Sequence, residues 1–496
     1  MKPDVSPQDA WQPLPAADWN EEAARHLLRR AGWAAQPPEV ARLMKDGLTA
    51  SLDRLFPAKA NPMPKPRLIT NLEADTPGYV EKIKAAETRE QKQVLQRIQR
   101  ERQQQAVQDL GIKWLQFASL PENAAAEKWL LFLGDVYVVS QEKVENTALI
   151  YAYQDTLRQG AFGRAPDLAK AVSRTPAMIR YLDLQDSKSG TPNENFAREL
   201  FELFLLGEGN YTEQDIKESA RAFTGYRAGQ GVFRFAQNQH DAGLKTIFGQ
   251  TGKYNGDDVI DLAFTQPAAG RFLPHEMVKF YLADEGIPIE YLTTIGTWWQ
   301  GTGYDMRALA RRFFGSRIFF DQAFRGNYIK SPVQFYLGLV QDLNLNVAPF
   351  PRQSLNALRL MGQNLYRPPN VRGWVGGRLW INSGTFASRR QLVETLFTPI
   401  NEENLNADEQ VQLVAARAAG LSTFTVTDER LGAMLTSLTP AQITDRFVDY
   451  FLPIKVDAFF RSSILAFLSD PAAKDRLVRL RNTAVTLLQS PEYQLC

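Results

Sequence analysis

At 496 residues the chain exceeds what one small hydrophobic core organises, and its 44% hydrophobic and 23% charged residues describe a packed protein rather than a disordered one. With 57 basic against 55 acidic residues the net charge is only +2; Arg307, Arg311, Arg312 and Arg317 lie close together but within no nucleic-acid motif, so nucleic acid is not an expected partner. The single cysteine, Cys496, excludes an intramolecular disulfide framework and cysteine-ligated zinc, and no stretch approaches the ~18 apolar residues of a membrane span.

Residues 1–20 are rich in Pro, Ala and Asp and are expected to form an extended arm. They lack the apolar core of a signal peptide, so the cytoplasm is the expected compartment, with export open if a leader has been removed. Helical periodicity begins near Asn20, with Ala23, Ala24, Leu27 and Leu28, and Gly32 is expected to stop it. Residues 57–78 carry five prolines and predict a loop. Residues 80–118 predict one long polar helix with a thin stripe of Val94, Leu95, Ile98 and Val107, either a solvated helix leaning on the body or a partner-binding arm. Apolar spacing is helical from Ala124 to Thr224. A β-hairpin is expected at 231–249, pairing Val232–Phe235 with the segment from Lys245 to Phe248. Helices resume at Asp257, with His275 expected at a helix start after Pro274. Residues 345–354 and 366–384 predict Pro/Gly/Asn/Trp-rich loops, the second long enough to be functional.

The most informative segment is 191–225. Thr191, Pro192 and Glu194 predict one helix start, Thr212 with Asp215 another, and Gly207 and Gly225 the stops. Phe196, Ala197, Leu200, Phe201, Leu203, Phe204 and Leu205 wrap most of the first helix, leaving a narrow polar strip of Asn195, Arg198, Glu199 and Glu202. Arg198 and Glu202, four apart, could form a surface ion pair. Alternatively Glu199 and Glu202 line a pocket and do acid–base or cation-binding work; buried carboxylates would then need a cation, for which Arg158 and Arg221 are the candidates.

TPAMIRYLDL, then TPNENFARELFELFLLGEGNYTEQDIKESARAFTGY, then HDAGLKTIFG and RPPNVRGWVGG occur in this order. In these motifs, and from about His26 to Arg390, the chain resembles the bacterial domain-of-unknown-function family number 1800. That family has no settled activity. The resemblance implies a possible protein partner from the sulfatase-like companion family often encoded beside it. One departure matters: the family commonly shows an aromatic stretch with two histidines, where this chain has Phe132-Leu133-Gly134-Asp135-Val136-Tyr137. The histidine positions are Gly134 and Val136, and a further one is Gly160, after Arg158. Any histidine-based metal site of the family is thereby dismantled.

His240 survives in a family motif beside Asp241, five residues before Lys245. It is either a general base or a ring packed on a turn that Asp241 stabilises. No metal and no cofactor are expected, although Glu199, Glu202 and Asp241 leave an oxygen-ligand site open. Trp374 and Trp380, with Asn370 and Asn382, either form an aromatic platform for a sugar or peptide or simply cover the core.

The expected fold is all-α, a multi-helix body with a minor β-hairpin and long Pro/Gly/Trp loops: an arm at 1–20, a main body at 21–400 and a helical section at 401–496. Two functions of different class follow. One is a binding or assembly protein acting with a protein partner, which the missing histidines favour. The other is an enzyme doing acid–base, hydrolytic-type chemistry on a small anionic or sugar/peptide-like substrate. Its catalytic groups would be Glu199, Glu202 and His240, and its binding groups Arg158, Asn195, Arg198, Arg221, Asp241, Lys245 and Trp374.

Overall fold

The computed structural model describes residues 3–229, 231–470 and 475–496. Of the chain, 63% is helical, in twenty-three α-helices among the described residues, with two small antiparallel two-stranded sheets. The all-α class with minor β structure is therefore what the chain adopts. No helix among the described residues is long and apolar enough to cross a membrane.

Local chemistry explains most of the element starts. Asn20 accepts a hydrogen bond from the Ala23 N–H and opens helix Glu21–Ala31, which ends at Gly32. Thr212 and Asp215 form a reciprocal capping box at the start of Glu213–Ala222. Before it, Asn193 rather than Thr191 is the cap of Glu194–Glu199. That helix runs on as a π-helical turn, Leu200–Leu205, in which the Leu206 and Gly207 N–H groups both reach the Phe201 carbonyl. The extra residue in the turn lets the strip swing relative to an ideal wheel.

Three expectations change. Residues 57–66, with four of the prolines, do form a loop, but helix begins at Arg67, and the long polar helix is two helices, Arg67–Ala85 and Arg89–Ala118, packed against each other. Pro77 is tolerated inside the first, and a Thr88–Gln91 capping box restarts the second. The second change is in the β region. Val232–Phe235 pairs backward with Tyr226–Gly229, and Lys245–Ile247 pairs forward with Gln250–Gly252, so the two expected hairpin arms belong to different sheets. Each strand finds its partner across the nearest tight turn, which costs less chain entropy than closing the 236–244 segment. Finally, Pro274 and His275 lie inside helix Pro267–Tyr281, whose start is Pro267 at the first helical position.

One main core cluster extends from Ala10 and Trp11 to Leu487, Leu488 and Tyr493. The first segment is therefore docked: Trp11 is buried and its indole N–H donates to the Tyr291 carbonyl at 2.8 Å. Helix Arg476–Gln489 contacts helix Ser383–Leu396 and sends Leu480, Leu487 and Leu488 into the same core. A smaller cluster joins Ala348 and Phe350 to Leu413 and Phe424.

Candidate functional site

The residues singled out on the sequence separate into three places. Arg158 is buried and makes a two-pronged ion pair with Glu127, which also accepts from the Trp114 indole at 2.8 Å. This is a closed network inside the body. Arg221 grips Asp241 through Nε at 2.8 Å and Nη2 at 3.2 Å, and also pairs with Glu218. The guanidinium holds the Asp241 carboxyl below its ordinary range. Lys245 is buried and donates to the Asp241 and Gly243 carbonyls at 2.5 and 3.0 Å, and burial lowers its pKa. The His240 ring Nδ1 sits 3.0 Å from the Thr224 carbonyl and packs at a tilt against Phe235, while the Asp241 N–H donates to the Thr224 hydroxyl. This second group braces the loop between the two small sheets.

The third place holds Glu199 and Glu202. Arg198 turns away from Glu202 to Glu213, at 2.7 and 2.8 Å, and to Glu194 at 3.4 Å. Asn195 contacts the Leu182 carbonyl at 3.4 Å. The cation beside the carboxylate strip is Arg372, not Arg158 or Arg221. It donates to Glu202 and to Glu208 at 2.8 Å each, and the Tyr211 hydroxyl donates to the other Glu202 oxygen at 3.0 Å. Burial, then the neighbouring Glu202 charge, raise the Glu199 pKa.

Glu202 and Arg372 open onto a cleft of about 720 Å³ between helix Pro121–Val136, the π-helical turn, helix Pro267–Tyr281 and the loop 371–376. Asp135 lies in its lining, in the last turn of helix Pro121–Val136, where the negative end of the helix dipole opposes ionisation. Burial pushes its pKa up to about 7; the Glu276 charge adds to this, while the Trp374 N–H and Lys279 oppose it. The Trp374 N–H donates to the Asp135 carboxyl at 3.0 Å. Asp284, a second acid in the lining, is likewise raised by burial and accepts from the Arg378 backbone N–H.

The loop reaches both acids because it has glycine where it touches them. Gly373 has φ +80° and an added Cβ would stand 2.2 Å from the Asp135 carboxyl oxygen; Gly377 has φ +64° and its Cβ would stand 2.1 Å from Asp284. Phe132, Phe272, Phe280 and Trp374 wall the cleft, and Tyr328, only 6% exposed, also lines it with a hydroxyl that has no hydrogen-bond partner among the described residues. His275, lowered by burial, sits with Glu276 and Lys279 along one wall. Such a site can bind a ligand of mixed polar and apolar character and exchange a proton near neutrality. No group of three or more His, Cys, Asp or Glu side chains that could hold a metal occurs among the described residues.

Of the residues singled out on the sequence, Glu202 and Trp374 line this cleft, and Glu199 is coupled to it through Glu202 and Arg372. Asp135, Asp284, Tyr328 and Glu276 were missed. A signal existed for Asp135, a lone acid inside the apolar run from Leu130 to Val139. A family described as Protein of unknown function (DUF1800) matches residues 26–495, nearly the whole chain, and the chain belongs to that family. No curated protein and no solved structure matches it.

Proposed function

We propose that this DUF1800 chain binds and acts on a small sugar- or peptide-like molecule in the cleft beneath loop 371–376, with Asp135 as the group that gives and takes a proton. The observation that carries the reading is the pair of partly buried acids, Asp135 and Asp284, on which the glycines of one loop close, in a cleft with aromatic walls. An acid whose pKa is about 7 is half protonated at neutral pH, the condition under which a general acid–base catalyst is most effective. Trp374 and Phe272 offer flat apolar faces, and Glu202, Arg372 and Arg271 the polar edges that orient such ligands. An anionic substrate is less well served: Arg372 and Lys279 are already paired with glutamates, Arg158 and Arg221 are engaged elsewhere, and Arg271 alone would have to offset the Asp135 and Asp284 carboxyls of the same lining. The test is a panel of neutral oligosaccharides and short peptides screened by ligand-observed NMR. At least one member should bind the wild type and lose most of its signal transfer with Asp135→Asn and with Trp374→Ala. Binding that is indifferent to both substitutions, or no binding across the panel, would sink the proposal.

A second reading, assembly with a protein partner, draws on helix Ala458–Ser469. It leaves Phe459 80% exposed and Phe467 exposed, eight residues apart on the same side. Co-expression with the sulfatase-like companion should then give a complex that Phe459→Ser weakens. Separate elution of the two wild-type chains would remove this reading.

A further inference from the structure

We propose that the cleft is built to receive the ammonium group of an amine-bearing ligand, with Asp135 and Asp284 as its counter-charges and the Tyr328 hydroxyl as an acceptor. The inference rests on the cleft being the ligand site and adds the charge that the ligand carries.

Two carboxyls share one lining beneath one loop, and neither has a side-chain cation bonded to it. Around Asp135 stand Glu276 and Lys279, and Lys279 leans toward Glu276 at 3.4 Å. Around Asp284 stand Arg30, Arg378 and Glu285. Arg30 spends its donors elsewhere, on the carbonyls of Tyr281, Leu282 and Phe324 and on Asn327. Arg378 pairs with Glu285. Tyr328, whose electrostatic neighbours include both Asp284 and Asp135, is more than nine-tenths buried and keeps a free hydroxyl in the lining. The Tyr328 hydroxyl, without a hydrogen-bond partner among the described residues, is an acceptor left open to a ligand in the cleft.

An ammonium group supplies what is missing. It has three donors for two carboxylates and a phenol oxygen, and it completes the charge balance that burial denies the acids. The faces of Phe132, Phe280 and Trp374 add cation–π attraction. An anionic ligand would meet two carboxyls, and a neutral one would leave them without a counter-charge. Binding therefore displaces whatever proton the acids hold. Above about pH 7 Asp135 is already ionised and no proton has to leave; below it, each bound amine must expel one. Affinity for the amine falls as the pH falls, by up to about tenfold per pH unit for one displaced proton.

The experiment is isothermal titration of the full chain with 1,4-diaminobutane and with its neutral isostere 1,4-butanediol. It would be run at about pH 8 and about pH 6, in buffers of contrasting ionisation heat. The diamine should bind and the diol should not. The diamine should be roughly tenfold or more weaker at the lower pH, with proton release into the buffer. Asp135→Asn and Asp284→Asn should each weaken it by roughly tenfold or more, while Asp18→Asn, at an exposed position outside the cleft, leaves it unchanged. Equal binding of diol and diamine, indifference to Asp135→Asn, tighter binding at the lower pH, or no saturable diamine heat would each overturn the inference. Should a neutral sugar or peptide from the NMR panel still bind in an Asp135-dependent way, the cleft remains the ligand site and only its amine preference is lost.

Discussion

Glu127 is 1% exposed and gives both carboxylate oxygens to partners, Arg158 and the Trp114 indole. Removing one side leaves the other charge stranded, so Arg158→Met is expected to cost about 3–5 kcal/mol in chemical denaturation. Ligand binding in the cleft should be unchanged in the fraction that remains folded. Asp135 has the opposite character, because its pKa in the folded chain, about 7, lies above the value of an unfolded aspartate. The folded state then holds more protons than the unfolded state between those two pKa values. Stability is lost as pH rises through that window, and Asp284, Asp342, Asp109 and Glu199 contribute with the same sign. Asp135→Asn should flatten this fall and raise stability near pH 8 by on the order of 1 kcal/mol, read from urea midpoints across the pH range. An unchanged profile would mean that the carboxyl is not held neutral. Arg158 was visible on the sequence as a cation near the central helices. Its partner was not, because Glu127 lies on another helix and only tertiary packing brings the two together.

Among the elements, loop 371–376 and the 3₁₀ turn Gly377–Trp380 after it connect the two acids to the cleft mouth. A β-carbon at position 373 meets both an unfavourable positive φ, worth roughly 1–2 kcal/mol for an L residue, and the Asp135 carboxyl. Gly373→Ala should therefore lift the loop, speed amide exchange over residues 370–380 and lower the Asp135 pKa as water enters. A loop that exchanges no faster in the variant would contradict its role as the cover. The cap-driven elements were legible because their signals are local: Asn20, Thr212 with Asp215, and the stop at Gly32 all act within one turn. The split of the polar helix at 86–88 was not. Pro77 argued for a loop, yet the Arg67–Ala85 helix is held by non-local contacts, Arg102 with Asp75 and with the Tyr79 ring among them. The hairpin partners failed for the same reason: alternation marks a strand, not the strand it pairs with.

In the molecule as a whole, the last helices belong to the main core. Arg389 is buried and bonds the Lys330 carbonyl at 2.8 Å and the Gln494 side chain at 3.2 Å, which ties helix Ser383–Leu396 to residues 490–496. A chain cut after residue 400 should lose cooperative unfolding, because Leu480, Leu487, Leu488 and Tyr493 leave the core with it. The all-α class was legible from periodicity that recurs along the chain. The cleft was not, since its lining comes from five stretches between Phe132 and Gly376 that no sequence window contains. Glu202 and Trp374 were found because each stood out locally, and Asp284 and Tyr328 were missed because neither does. The most direct measurement is mass spectrometry of the native and denatured protein purified from its own host, for the wild type and for Asp135→Asn. The cleft account predicts a small molecule on the native wild type that is released on denaturation and is absent from the folded variant. An empty wild type, or a molecule held equally by both, would contradict it.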